Sequence, residues 1–179
     1  MTHVAAATDP ELATPPPGWA ARALRVLPDA TATDALGCAL APVLAPGDTL
    51  LLQGRLGAGK SHFARALIRA LLGPAGAGAE IPSPTYTLVQ TYDTPVGEVW
   101  HADLYRLTDP QELEELGLDI AIEQAICLIE WPDRIAPDWP GAAVCLRFDP
   151  APGDARKVTL RAPDGSDLAG RCLAPFQRP

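Results

Sequence analysis

The sequence predicts a single α/β domain in which helices flank a mixed, mainly parallel sheet. Its length of 179 residues suits one domain with its own core. An apolar run, Thr49–Leu52, leads straight into a glycine-rich loop, and helical spacing of apolar residues resumes after it. Further short apolar runs downstream are typical of buried strands. A strand, a glycine-rich loop and a helix in this order indicate the α/β arrangement.

The remaining elements follow from periodicity and turn residues. The turn-rich stretch DTPVG predicts a hairpin between two strands. Asp109 as N-cap and Pro110 at the first helical position predict a helix that ends near Gly117. The predicted elements are, in chain order, a helix from Thr33, a strand Thr49–Leu52, a helix Phe63–Leu72, strands Thr85–Tyr92 and Glu98–Tyr105, the helix from Asp109, a strand Ala125–Glu130, and a closing pair Ala142–Phe148 and Arg156–Ala162.

Changes in composition predict a tail at each end of the domain. Residues 1–22 are rich in Ala, Thr and Pro, which predicts a disordered or extended segment. Residues 163–179 follow the last predicted strand and are expected to form a C-terminal tail. The folded domain is therefore expected to cover residues 23–162.

The charge balance argues against direct binding to nucleic acid. The net charge is −8, and Lys60 and Lys157 are the only lysines. Nucleic-acid-binding domains usually present a basic face, so tight contact with tRNA or DNA by this chain alone is not expected. An acidic chain can still dock on a basic protein partner. No apolar run is long enough to span a membrane, and the first residues lack signal-peptide features, so a cytoplasmic protein without membrane contact is expected.

The stretch QGRLGAGKS contains the phosphate-binding pattern G-x-x-x-x-G-K-[ST], with Gly54, Gly59, Lys60 and Ser61 at its fixed positions. Glycines let successive backbone N–H groups turn toward one anion without a clash from a Cβ atom. Lys60 would add a full positive charge at the phosphates, and the Ser61 hydroxyl would ligate Mg²⁺. A glycine-rich turn without function is disfavoured, because the pattern is complete and lies between a predicted strand and a predicted helix. The motif predicts a nucleotide site.

The nucleotide expected at this loop is ATP. Guanine-specific proteins with the same loop typically read the base with an N-K-x-D segment, and this chain contains no asparagine. The cofactors expected for the site are therefore ATP and Mg²⁺.

A second carboxylate, at the end of a nearby strand, is needed to hold the metal directly or through water. Glu130 follows the wholly apolar run Ile126–Ile129 and is the better match to a buried strand with an acid at its tip. Burial of this carboxylate without a function would be costly. Asp103 follows the more mixed run Val99–Ala102, and the pattern alone leaves its role open.

Four blocks of the chain, GRLGAGKS, SPTYTLV, HADLYRLTDPQELEELGL and CLIEWP, resemble the TsaE (YjeE) family in order and spacing. The resemblance covers about Leu27 to Leu160. It implies a single-domain P-loop ATPase of bacterial tRNA threonylcarbamoyladenosine synthesis, a modification of the adenosine next to the anticodon. The implied partners are a threonylcarbamoyl-transferase and its paralogous companion subunit, and any tRNA contact would be indirect, through that complex.

The resemblance also implies roles for particular residues. Lys60, Asp103 and Glu130 would be catalytic, with Asp103 as the Walker B acid. Ser61 would ligate Mg²⁺ together with the same two acids, and Glu130 with Trp131 would form a second switch. The implied nucleotide-binding residues are Thr33, Gly57, Ala58, Gly59, Lys60, Ser61 and His62. The implied nucleotide-sensing loop consists of Ser83, Pro84 and Thr85.

Two positions depart from the family pattern. Arg55 replaces an acid, which is expected to change a surface contact only. His62 replaces a second hydroxyl residue after Ser61, so the chemistry is expected to be slower or differently arranged if that hydroxyl organises the γ-phosphate. A zinc site formed by His62 and His101 is not expected, since no Cys/His spacing supports it, and both are interpreted as structural or surface residues.

Two other functions stay open at this point. A small-molecule P-loop kinase shares the loop and the size, although the arginines are scattered and form no lid-like cluster. The second alternative is a nucleotide-gated binding module that never cleaves ATP. Arg106, Arg134 and Arg156 are candidate arginine fingers without specific support. Because a missing finger costs about 10³ to 10⁵ in rate, feeble ATPase activity alone and a large increase with the partner complex are expected.

Overall fold

Seven strands and five helices build residues 12–107 and 112–178, the part of the chain that the computed structural model describes. The helices and strands are, in chain order, β1 (Trp19–Leu27), α1 (Ala30–Leu40), β2 (Thr49–Gln53), α2 (Lys60–Leu71), β3 (Val89–Thr94), β4 (Gly97–Asp103), α3 (Glu112–Glu115), α4 (Leu118–Gln124), β5 (Ile126–Glu130), β6 (Val144–Pro150), β7 (Arg156–Pro163) and α5 (Asp167–Gln177). Short 3₁₀ turns cover Ala41–Val43, Gly73–Gly76 and Pro132–Ile135.

The strands form one sheet that is parallel in the middle and antiparallel at both edges. Their order is β1-β7-β6-β2-β5-β4-β3. β2 runs parallel to both β5 and β6, and β4 runs parallel to β5. β1 and β6 are antiparallel to β7, and β3 is antiparallel to β4. The predicted mixed sheet is confirmed, together with the predicted hairpin (β3–β4) and closing pair (β6–β7).

The register of the parallel strands brings the predicted functional residues to one edge of the sheet. Glu130, the last residue of β5, lies opposite Leu52 on one side and opposite Asp103 on the other. The glycine-rich loop starts directly after Gln53, the last residue of β2. Since the carboxyl ends of parallel strands meet at the same edge, the loop and both acids share one end of the sheet.

Apolar side chains cover both faces of the sheet. On one face, α1, α2 and α5 bury residues such as Leu36, Phe63 and Phe176 against the strands. On the other face, α4 and the segment after β5 contribute a second cluster that includes Leu118 and Trp139. α2 buries apolar residues at helical spacing because one stripe of its surface faces the sheet. No helix within residues 12–107 and 112–178 is long and apolar enough to cross a membrane.

The N-terminal prediction needs a correction at its inner end. Residues 19–22, expected to belong to a tail, start β1, an edge strand paired with β7 from Trp19 to Leu27. Its outward side chains stay in solvent, with Leu24 58% exposed, so the pattern is not that of a buried strand. Residues 1–11 of the predicted tail lie outside the described residues.

The prediction of a C-terminal tail from residue 163 is wrong, because α5 packs against the sheet. Ser166 caps the helix by accepting a hydrogen bond from the Ala169 N–H at 3.1 Å. Cys172 and Phe176 are buried on the helix face toward the core. Pro175 lies in the last turn, where it can be tolerated, and together with the surrounding glycine and polar residues it obscures the helical signal in the sequence.

Smaller differences concern the middle of the chain. β3 begins at Val89, and the four residues before it, Thr85 to Leu88, form turns instead of the start of a strand. The Leu88 N–H donates to the Pro84 carbonyl at 2.7 Å, which closes that turn. α4 was not predicted. The predicted N-cap Asp109 and Pro110 lie outside the described residues.

Candidate nucleotide site

The glycine-rich loop joins β2 to α2 in a conformation that requires glycine. Gly54 has φ = 149°, and a Cβ atom there would lie 2.6 Å from the Phe148 carbonyl oxygen. Gly59 has φ = 106° and directly precedes α2. L-residues rarely adopt such angles. The loop therefore curls tightly in front of the helix N-terminus, where backbone N–H groups have no partner within the helix.

Lys60 is buried beneath this loop. Its side chain is 5% exposed, and Nζ donates to the Gly54 carbonyl at 2.7 Å and to the Arg55 carbonyl at 3.0 Å. Nζ also lies 3.9 Å from the centroid of the Trp131 ring, a cation–π distance. The ammonium group is thus held between the loop backbone and the residue that follows β5.

Ser61, at the start of α2, is tied to the end of β5. Its hydroxyl donates to Glu130 Oε2 at 2.7 Å. The other carboxylate oxygen of Glu130, Oε1, lies 2.8 Å from His101 Nε2. Glu130 and His101 are 1% and 0% exposed. Both carboxylate oxygens of Glu130 therefore have partners, one from α2 and one from β4.

Asp103 connects the implied nucleotide-sensing loop, Ser83 to Thr85, to the same edge of the sheet. Thr85 Oγ1 donates to Asp103 Oδ2 at 2.9 Å, and Ser83 Oγ lies 2.9 Å from Thr85 Oγ1. Asp103 Oδ1 accepts from the Tyr105 backbone N–H at 3.0 Å. Ser83 therefore reaches the acid through Thr85, and Pro84 contributes the carbonyl that closes the turn described above.

Trp131 adopts an unusual backbone conformation directly after Glu130. Its φ of 58° and ψ of 51° lie in the left-handed region, which costs on the order of 1–3 kcal/mol for a residue other than glycine. Its ring is 2% exposed and packs 4.9 Å, between centroids, from the Tyr105 ring. The chain reverses here so that the indole covers Lys60.

Two cavities meet at the loop. The first, about 350 Å³, is lined by loop residues and by both acids. Its lining is Leu56, Gly57, Ala58, Gly59, Lys60, Ser61, His62, Arg65, Thr85, Asp103, Tyr105, Glu130 and Trp131. The second, about 560 Å³, shares Gly57, Gly59 and His62 with it and extends toward Asp29, Thr33 and Arg156. The phosphate loop is thus the floor common to both.

His62 lines both cavities, whereas Thr33 lines the second. Thr33 is buried in α1, and its hydroxyl donates to the Asp29 carbonyl at 3.2 Å. His62 Nε2 lies 2.8 Å from Asp34 Oδ1, close enough for an ion pair when the ring is protonated, although the approach lacks hydrogen-bond geometry. α1 therefore supplies part of the wall of the second cavity.

The three candidate arginine fingers do not line the first cavity. Arg134 donates to the Tyr105 carbonyl at 2.8 Å, and Arg106 stacks 4.5 Å above the ring of Tyr86. Arg156 lines the second cavity. Arg65, on α2, is the arginine that lines the first, and sequence reasoning missed it. Its spacing could have indicated this position, because Arg65 lies four residues, about one helical turn, after Ser61 and therefore on the same face of α2.

His101 is the second residue that sequence reasoning missed, because it was interpreted as structural. It contacts Glu130 on the neighbouring strand β5, and a single sequence contains no sign of such a pairing. Of the residues that the sequence predicted, Lys60, Ser61, Thr85, Asp103, Glu130 and Trp131 all line one cavity, and His101 contacts Glu130 from outside it.

Comparisons with known proteins agree with this architecture. The model of the family described as "Threonylcarbamoyl adenosine biosynthesis protein TsaE" matches residues 27–158. The chain is 35% identical over 131 residues to "tRNA threonylcarbamoyladenosine biosynthesis protein TsaE" of Bacillus subtilis (strain 168), covering 73% of this chain and 79% of that protein. A protein of the same name from Rickettsia bellii (strain RML369-C) is 44% identical over 97 residues, 54% of this chain. That match spans 65% of the Rickettsia protein, just under two thirds of its length.

A solved structure points the same way. The crystal structure of YdiB from Bacillus subtilis superposes with a TM-score of 0.69 at 27% identity, over 86% of this chain and 93% of that one. The resemblance seen in the four sequence blocks is confirmed, and the chain belongs to the TsaE family of P-loop NTPases.

Proposed function

We propose that this chain is a Mg²⁺-dependent ATPase required for threonylcarbamoyladenosine modification of tRNA at the position next to the anticodon. The names of its relatives, biosynthesis proteins for this modified nucleoside, support the pathway. The observation that carries the enzymatic part is the convergence of Lys60, Ser61, Asp103 and Glu130 on one cavity. No single stretch of the chain contains all four.

The cavities fit a nucleoside triphosphate. The loop glycines and the N-terminus of α2 suit the phosphates, since helix N-termini favour anions. The larger cavity beyond Gly57, with Thr33 in its wall, suits the ribose and base. ATP is favoured over GTP because the chain has no asparagine with which to read guanine in the usual way. Lys60, already aimed into the loop, would contribute its charge to the phosphates.

The residues present also fit Mg²⁺. Ser61 and Glu130 offer hydroxyl and carboxylate oxygens 2.7 Å apart, and Asp103 lines the same cavity. Within the described residues no group of three or more His, Cys, Asp or Glu could hold a metal. Mg²⁺ needs no such cage, because it usually keeps water molecules and phosphate oxygens in its coordination shell. When bound, it would neutralise the negative charge on the phosphate oxygens.

The two acids would divide the work. Glu130, which is nearly fully buried and is held by hydrogen bonds at both oxygens, would orient the attacking water or accept its proton. Asp103 would hold the metal shell and, through Thr85, couple it to the loop Ser83–Thr85. A change at the γ-phosphate could thus alter the position of that loop.

The partner-dependent part of the proposal rests on charge and on the arginines. The net charge of −8 suits docking on a basic protein and makes direct tRNA contact unfavourable. Arg106 stacks on the ring of Tyr86 and Arg134 donates to the Tyr105 backbone carbonyl, and neither arginine lines the first cavity. We therefore expect slow hydrolysis by the cytoplasmic chain alone and faster hydrolysis with the threonylcarbamoyl-transferase and its companion subunit.

The test is Mg²⁺-dependent ATP hydrolysis by the purified chain, alone and with the transferase pair. Lys60→Ala is expected to abolish turnover in both conditions. Lys157→Ala is a matched control, because it removes the only other lysine, an exposed residue of β7 far along the chain from the loop.

Each outcome decides between the open functions. Slow turnover that rises with the pair supports the proposal. Fast turnover without partners contradicts partner dependence. Phosphate transfer to a small acceptor would identify a kinase. ATP binding without cleavage in either condition would identify a nucleotide-gated module, the alternative that His62, in place of a second hydroxyl residue, leaves open.

A further inference from the structure

His101 is a fully buried polar side chain on β4, between β5 and the edge strand β3. It lies on β4 opposite Leu128 of β5 and opposite Gln90 of β3, and it is 0% exposed. A polar ring at such a position is costly unless it forms hydrogen bonds. Its Nε2 lies 2.8 Å from Glu130 Oε1, whereas Nδ1 has no hydrogen-bond partner among the described residues.

These contacts define which ring nitrogen carries hydrogen. A carboxylate oxygen only accepts, so Nε2 must be the donor to Glu130. A hydrogen on Nδ1 would be buried without an acceptor, which is unfavourable. The contacts therefore select the tautomer with hydrogen on Nε2 alone.

The bond restrains one oxygen of a flexible carboxylate. Glu130 Oε2 accepts from Ser61, a proposed metal ligand that would have to turn toward Mg²⁺. Oε1 would keep its bond to His101 during that change, because His101 lies on a strand and does not line the cavity. An anchor outside the cavity can thus fix Glu130 while its other contact is exchanged.

We propose that His101 is a positioning residue that holds Glu130 through an Nε2–H···Oε1 hydrogen bond and so aligns the carboxylate for ATP hydrolysis. The role of His101 in hydrolysis rests on the proposed ATPase function, whereas the hydrogen bond itself is independent of that function. Loss of a residue that lies outside a metal site and hydrogen-bonds to one of its ligands typically lowers activity by about 10- to 100-fold.

The first measurement is the tautomer of His101 by ¹⁵N NMR at pH 8. The chain contains 3 histidines, so the signals can be assigned by comparison with the His101→Gln variant. We expect hydrogen on Nε2 in the wild type and loss of that preference in Glu130→Ala. Hydrogen on Nδ1, or a tautomer that ignores Glu130→Ala, would overturn the proposal whether or not the protein hydrolyses ATP.

The second measurement compares three variants in ATP hydrolysis. His101→Leu removes the donor at similar volume and should lower kcat about 10-fold or more with little change in KM. His101→Gln, whose amide N–H can replace Nε2–H, should recover most of the loss. In the Glu130→Gln background, His101→Leu should cause no further loss.

A merely structural role predicts different results. Leu128→Ala disturbs the neighbouring core position and should lower stability without the same loss of kcat per folded molecule. If His101→Gln is folded but no better than His101→Leu, or if His101→Leu costs as much in the Glu130→Gln background, the positioning role is wrong. Should His101→Leu not fold, His101→Gln and the NMR result still decide. If the wild-type protein hydrolyses no ATP, both the proposed function and the role of His101 in alignment are wrong. The His101–Glu130 hydrogen bond would still be tested by the NMR measurement.

Discussion

At and near the carboxyl ends of β2, β4 and β5, the fold buries several polar side chains among apolar ones. Lys60, His101, Asp103 and Glu130 are all at most 5% exposed there. At the opposite edge of the sheet, where α5 packs near β1 and β7, most of the buried side chains are apolar, and Phe176 is 0% exposed. The charged contact in that region, Arg171 with Asp48, lies nearer the surface.

The difference shows where stability and function come from. Buried polar groups contribute little net stability, since their desolvation offsets their hydrogen bonds. Apolar burial contributes about 25 cal/mol per Å². The strand ends should therefore tolerate substitutions that abolish activity without unfolding the protein, whereas the α5 region should show the reverse.

The largest expected effect is that of Phe176→Ala on stability. Removal of a fully buried ring should lower the free energy of unfolding by about 3–5 kcal/mol, measured by urea denaturation. Phe176→Leu, which leaves a smaller cavity, should cost less. Nucleotide affinity per folded molecule should not change, and a drop in affinity would mean that the two regions are not independent.

Glu130→Gln should have the next largest effect, on ATP hydrolysis. Loss of the carboxylate should slow turnover by at least about 10²-fold, which equals about 2.7 kcal/mol, while the urea midpoint stays the same or rises. Glu123→Gln, an exposed acid on α4, is the matched control and should change neither quantity. Parallel loss of stability and activity in Glu130→Gln would contradict the separation drawn above.

Arg171→Met should have a smaller effect, on the attachment of α5. The guanidinium donates two hydrogen bonds to the Asp48 carboxylate, at 2.7 and 2.9 Å. These hydrogen bonds raise the pKa of Arg171. Because the side chain is 34% exposed, solvent weakens the pair, and we expect a loss of about 1–2 kcal/mol. Arg178→Met, near the end of the described chain, removes an exposed arginine without this pair and should be neutral.

The smallest expected effect is on thiol reactivity, which measures local opening. Cys38 is exposed, whereas Cys127, Cys145 and Cys172 are buried, and all four are free. Burial raises the pKa of Cys172 to about 12, so at pH 8 almost none of it is thiolate. A thiol reagent should modify Cys38 quickly and Cys172 only when α5 opens, at a rate that Arg171→Met increases. Fast modification of Cys172 in the wild type would mean that α5 is not firmly packed.

Local patterns predicted the central part of the fold well. The run Thr49–Leu52 became β2, the loop was placed correctly, and the spacing of Phe63 and Leu67 predicted α2, because these signals depend on neighbours in sequence. α5 was missed because Pro175 and Gly170 weaken its local signal, and its stability comes from contacts with distant residues such as Asp48. Edge strand β1 was partly missed for a related reason, since only one of its sides is paired.

The sequence by itself located the phosphate loop, with Lys60 and Ser61 at its fixed positions, and it singled out Glu130 as a candidate acid at the end of an apolar run, because both signals lie within short segments. Asp103 needed the family resemblance, since its strand is less regular in composition. Only the tertiary structure decided that His101 contacts Glu130, that Trp131 covers Lys60 and that Arg65 lines the cavity. These contacts depend on strand order and register, and long-range pairing of that kind is not encoded in any single segment.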